Sequence, residues 1–130
     1  MTRLSENIKA EFCGRKNGNR ARRNWWADLG EPRGSSPGFH CPIVIIQSDF
    51  LNQSQISSLV VAIITTSLRL GEMPGNVALS ERVSGLREKS VVNVSQIFTL
   101  DRNDLLEYVG TLSERKMEQI DEGLRLVLSL

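Results

Sequence analysis

Alternating or continuous apolar runs of strand type recur between Trp25 and Leu100, and apolar positions take up helical spacing only near the end of the chain. From Trp25 to Leu29, Trp25, Ala27 and Leu29 fall on one face and Trp26 and Asp28 on the other, the pattern of a half-buried strand. Such a strand reads as the edge of a small barrel, and its tryptophan pair as either core and interface packing or a surface for stacking bases. After Pro42 the run Ile43-Val44-Ile45-Ile46 is apolar at every position, which predicts a strand covered on both faces. Ser57 to Thr66, reading SSLVVAIITT, predicts a second β-branched strand, and a turn at Gly71 to Gly75 leads into a short one over Asn76 to Leu79.

Val91 to Leu100 predicts a third long strand with both faces mixed. Val92, Val94, Gln96 and Phe98 share one face, and Val91, Asn93, Ser95 and Ile97 the other. Amides spaced among apolar residues suit either a groove floor that reads base edges or a subunit interface with paired amides. Asp101 to Tyr108 opens on an Asp cap and predicts a short helical turn. Beyond Ser113, an N-cap, Met117, Ile120, Leu124, Val127 and Leu128 recur at helical spacing. Gly123 lies inside that helix at about 1 kcal/mol relative to alanine, which suggests close approach of another backbone. The sum is a mainly β, α+β architecture: a small SH3-like β-barrel with a C-terminal helix.

Gly30 to Phe39, reading GEPRGSSPGF, interrupts the pattern between the first two strands. Its glycines and prolines exclude helix, and Arg33, Ser35 and Ser36 offer guanidinium and hydroxyl donors. A donor-rich loop on a rigid strand is a common way to hold an anion. Length and composition narrow the rest. The 130 residues make one domain, and a formal charge of +1 places any nucleic-acid affinity in local clusters. Residues 1–23 form such a cluster, readable as a phosphate-binding arm or as a solvated tail, ahead of a domain over residues 24–130. Cys13 and Cys41 lack zinc or disulfide spacing, and His40 has no carboxylate at ligand spacing, so neither metal nor cofactor is expected. The absence of a long apolar run points to no membrane partner and, by elimination, to a cytoplasmic location.

The segment WWADLGEPRGSSPGFHCPIVIIQ (Trp25 to Gln47) resembles the signature of the MazF/PemK family, the ribonuclease toxins of bacterial type II toxin–antitoxin pairs. The likeness continues through SSLVVAIITTSLR, PGNVALS, KSVVNVSQIFTLD and VGTLSERKMEQIDEGLRLVL. It implies a PemK-like barrel, a homodimer, a MazE-like antitoxin partner and metal-independent cleavage of single-stranded mRNA through a 2′,3′-cyclic phosphate. It also implies a catalytic threonine at Thr65 and an RNA groove built from Arg33, Gly34, Ser35, Ser36, Gly38, His40, Gln47, Asn93 and Gln96.

The chain departs from the family pattern where an arginine is expected immediately before the strand's proline. Here that position is Cys41. A neutral thiol lacks the planar fork and permanent charge of a guanidinium. Imidazole at His40 exchanges protons near neutrality, but adjacent strand residues point to opposite faces. Two outcomes stand open: a crippled ribonuclease, or an inactive relative that binds antitoxin or RNA without cleaving.

Overall fold

The computed structural model describes residues 22–31, 34 and 39–130. The basic arm expected over 1–23 therefore lies outside the described residues, apart from Arg22 and Arg23. Six strands form one antiparallel sheet: β1 (Arg23–Asp28), β2 (His40–Ile45), β3 (Ser58–Thr65), β4 (Val77–Leu79), β5 (Ser90–Asp101) and β6 (Leu105–Thr111). Short helices α1 (Asp49–Asn52) and α2 (Glu81–Ser84) sit in connections, and α3 (Glu114–Leu128) closes the chain. The sheet order is β4-β5-β3-β2-β1-β6.

Both faces of this sheet are buried, as the unbroken apolar run in β2 anticipates. Ile43 and Ile45 pack with Trp25, Ala27, Leu59, Val61 and Ile63 on one face. Val44 packs with Ala62, Ile64, Val92, Met117 and Ile120 on the other, beneath α3. Leu100 of β5 and Leu105 of β6 join the first cluster although three strands separate them in the sheet order, which requires the sheet to curl. The result is the expected mostly β fold with a C-terminal helix, in the form of a curled half-barrel. Ser113 caps α3 by accepting from Lys116 N–H, as its position suggests.

The region after Asp101 differs from its sequence reading. A capping box between Asp101 and Asp104 supports only one 3₁₀ turn, Arg102–Asp104, and the chain then enters β6. Of its first four residues only Leu105 is buried, and two register shifts mark the pairing with β1, so no period-2 signal survives. One consequence concerns β1: it lies between β2 and β6, so it is not the edge strand its sequence suggests. Trp25 faces the first cluster and makes an edge contact with Tyr108, ring centroids 5.5 Å apart.

Gln47 ties the far end of β2 to its neighbours. Its Nε2 donates to Asn52 Oδ1 and to the Ser58 carbonyl, both at 3.0 Å, and its Oε1 accepts from Val60 N–H at 3.2 Å. Arg102 completes the knot, donating from Nη2 to the Asn52 carbonyl at 2.8 Å and from Nε to the Ile56 carbonyl at 2.9 Å. Buried groups left without partners are costly. Gln47→Leu should therefore destabilise the fold by about 2–4 kcal/mol, read by urea unfolding. A loss below about 0.5 kcal/mol, the range of a surface change, would contradict this role.

Candidate active site

The antiparallel register of β2 and β3 runs Ile45↔Val61, Val44↔Ala62 and Ile43↔Ile63. Continued by two residues, it sets Cys41 opposite Thr65 at the ends of the two strands. The side chain of Cys41 turns inward and is 9% exposed, with Sγ donating weakly to the Ile64 carbonyl at 3.6 Å and to the Pro42 carbonyl at 3.5 Å. Burial pushes its thiol up to about 11. At neutral pH the group is an uncharged thiol, unsuited to act as a nucleophile.

Thr65 shares the face of Ile63 and is half-buried, at the point where β3 leaves the sheet. Its Oγ1 accepts from Ser67 N–H at 3.1 Å. A hydroxyl in that role keeps its own proton to donate. On the other side of β3, Thr65 pairs with Val91 and Ile63 with Asn93. Cys41, Thr65 and Asn93 thus stand on one face in adjacent rows, on strands spaced about 4.8 Å apart.

The amides of β5 meet in a way that strict alternation forbids. Between Ala62↔Ile97 and Ile63↔Asn93 the register jumps, so three residues of β5 bulge out. The bulge lets Asn93 Nδ2 donate to Gln96 Oε1 at 3.0 Å, while Asn93 Oδ1 accepts from Ser95 N–H at 3.2 Å and from its hydroxyl at 2.7 Å. Asn93 is buried and Gln96 half-exposed, a polar knot at the margin of the Thr65 face.

Of the remaining candidates, His40 is exposed, opens β2 and faces Asp28 across the β1–β2 pair. Its exposure beside a buried Cys41 agrees with the alternation expected of neighbours in a strand. Gln47 is not brought to this end. It lies six residues along, about 20 Å in an extended chain, and its amide is engaged by Asn52, Ser58 and Val60. Arg33, Ser35, Ser36 and Gly38 fall outside the described residues. Gly34 is exposed with φ +57°, a conformation natural to glycine. The root of that loop is held by Leu29 N–H donating to the Phe39 carbonyl at 2.8 Å and Gly30 N–H donating to Asp28 Oδ1 at 2.9 Å.

Among the described residues no group of three His, Cys, Asp or Glu side chains could hold a metal ion, and no helix is long and apolar enough to cross a membrane. On the reverse face of β2, a cavity of about 540 Å³ opens between Trp26, Pro42, Thr66, Arg87 and Glu107. The sequence reading missed Arg87 and Glu107. They come from segments distant in the chain and carry no local motif.

The chain is thus a curled antiparallel sheet backed by one helix, with Thr65 at the end of β3 and the Asn93–Gln96 amide pair within β5. Residues 24–128 match the PemK-like, MazF-like toxin of type II toxin–antitoxin system family, and the chain belongs to it. Over 106 residues it is 44% identical to Endoribonuclease MazF6 of Mycobacterium tuberculosis, spanning 82% of this chain and 93% of the relative. It is 30% identical to Endoribonuclease EndoA of Bacillus subtilis over 82% of this chain and 90% of the relative. Its fold is similar to that of a mycobacterial endoribonuclease solved in complex with its cognate antitoxin, with TM-score 0.69 and 25% identity, covering 84% of this chain and 93% of the other. It is also similar to the Mycobacterium tuberculosis toxin MazF-mt6, with TM-score 0.70 and 23% identity over 84% and 98% of the two chains.

Proposed function

We propose that this protein is the toxin of a type II toxin–antitoxin pair, an endoribonuclease that cuts single-stranded mRNA at a short sequence without metal, with its rate lowered by Cys41. The carrying observation is that Thr65, at the end of β3, and Asn93, within β5, share one face, with Gln96 bonded to Asn93 and the glycine-proline loop rooted at Gly30 and Phe39. In the proposed reaction the ribose 2′-hydroxyl gives up its proton to water as its oxygen bonds to the adjacent phosphorus, and the bond from phosphorus to the 5′ oxygen breaks. The leaving 5′ oxygen takes up a proton from water, and the products are a 2′,3′-cyclic phosphate and a 5′-hydroxyl. Thr65 donates a hydrogen bond from its hydroxyl to a phosphate oxygen, while Gln96, held by Asn93, presents its amide nitrogen to base edges. Arg33, Ser35, Ser36 and Gly38, with Gly34, supply donors to the RNA backbone, and His40 contributes from the loop root. Gln47 has no part in this groove because its amide is already fully paired.

The same reading makes the protein a cytoplasmic homodimer whose groove is also covered by the acidic, disordered tail of a MazE-like antitoxin. Exposed apolar residues support a second copy: Leu126 and Leu128 on the last turn of α3, Leu130 just beyond it, and Leu68 and Met73 beside β4. A chimeric oligonucleotide with one ribose should be cut in the presence of EDTA, with the cyclic phosphate detected by mass spectrometry. Thr65→Val should slow that cleavage by about tenfold to a hundredfold. An absolute requirement for magnesium, or full activity in Thr65→Val, contradicts the mechanism.

A second reading, a non-catalytic dimer that binds antitoxin or RNA, is favoured by one observation: the Cys41 thiol, where the family resemblance implies an arginine, is buried and uncharged. Tight antitoxin binding with no cleavage of any sequence selects it.

A further inference from the structure

The cavity behind β2 is one residue removed from both ends of the proposed chemistry. Pro42, which lines it, follows Cys41, and Thr66, which also lines it, follows Thr65. Its wall is set by register: Trp26 pairs with Pro42 on one side and with Glu107 on the other. Trp26 is half-buried against the second core cluster, so its ring is held by packing while part of it faces the opening. Arg87, Glu88 and Glu107 stand exposed on the rim.

We propose that this cavity, at about 540 Å³, receives the base of the nucleotide next to the scissile link. The volume lies inside the roughly 300–1,000 Å³ range of small-ligand sites. Trp26 offers a fixed aromatic surface for stacking, the interaction that holds single-stranded bases without regard to identity. One guanidinium against two carboxylates makes a poor phosphate cradle, so the phosphate stays outside and the base edge enters. A carboxylate accepts N–H, and among RNA bases the amino-bearing ones, cytosine, adenine and guanine, present more donors than uracil. Glu107 and Glu88 therefore select an amino-bearing base, and Arg87 meets the backbone at the mouth. The same carboxylates disfavour an acidic peptide tail, which makes RNA the better occupant.

This inference rests on the ribonuclease reading, and the test separates the two. Fluorescence anisotropy is measured with 2′-O-methyl oligonucleotides, which bind without being cleaved, varied one position at a time. The wild-type protein should prefer an amino-bearing base over uracil by about fivefold or more at one position. Trp26→Ala should weaken binding by about tenfold or more. Glu107→Gln, a change at an exposed side chain, should flatten the preference at that position alone, and it keeps the test valid if Trp26→Ala does not fold. Failure of the wild-type protein to bind any oligonucleotide overturns the ribonuclease reading itself. Binding by folded Trp26→Ala that matches wild type, or a base preference in Glu107→Gln that matches wild type, overturns the base pocket and leaves that reading standing. Loss of antitoxin-peptide binding with RNA binding intact assigns the cavity to the antitoxin and also overturns the proposal.

Discussion

Cys41→Arg should raise the rate of RNA cleavage by about a hundredfold to a thousandfold, the range associated with one preorganised electrostatic group at a developing charge. The thiol it replaces carries no charge at neutral pH, because burial pushes it up to about 11. Cys41 faces Thr65 across the ends of β2 and β3, so a guanidinium there is held beside the proposed phosphate position. Two effects oppose each other. Placing a long side chain where Cys41 packs against Trp25 and Ala27 costs about 1–3 kcal/mol through overpacking. The site is a strand terminus next to exposed His40, however, which lets the arginine stem lie along the apolar rim with its head in water. The fold should persist, and rates should be compared at equal folded fraction. Cys41→Lys separates charge from geometry: a point charge without the fork should recover less. A folded Cys41→Arg protein that cleaves no faster than wild type would remove the electrostatic account of the site.

The same region shows what a chain can disclose about its own fold. The strands through Ile43, Val61 and Val92 were legible because β-branched runs buried on both faces leave little choice of conformation. β6 was not, because its residues are mostly exposed and its pairing with β1 is broken by irregularities, so the information lies in the partner strand. The bulge in β5 had a comparable effect on function. Period-2 counting separates Asn93 from Gln96, yet three extra residues bring them into a hydrogen bond of 3.0 Å. Gln47 shows the reverse case: a polar residue ending an apolar strand invites a binding role, and only the positions of Asn52 and Ser58 reveal that the fold itself uses it. The pocket of Trp26, Arg87 and Glu107 is long-range in sequence throughout.

Gly123→Ala should be among the most damaging single-methyl changes in the protein, although helix propensity alone favours it by about 1 kcal/mol. A Cβ at Gly123 would collide with the Gly75 carbonyl oxygen and stand 2.9 Å from its carbon, both backbone atoms with no rotamer to yield. Gly75 cannot easily move away. Its φ of +91° fixes the turn into β4, and a Cβ added there would itself stand 3.2 Å from the Gly123 α-carbon and carbonyl oxygen. Relief therefore requires α3 to lift from the sheet, withdrawing Met117 and Ile120 from the cluster they share with Val44, Ile64 and Val92. Partial loss of that burial costs about 3 kcal/mol or more, which outweighs the propensity gain and takes a large share of a total stability of roughly 5–15 kcal/mol. The melting temperature should fall by about 10–20 °C. Glu122→Ala, one residue away on an exposed pair with Arg125, should shift it by no more than a few degrees. An unchanged or raised melting temperature in Gly123→Ala would mean that α3 does not rest on the Gly75 turn. The Met117 and Ile120 side of the core would then have to be redrawn.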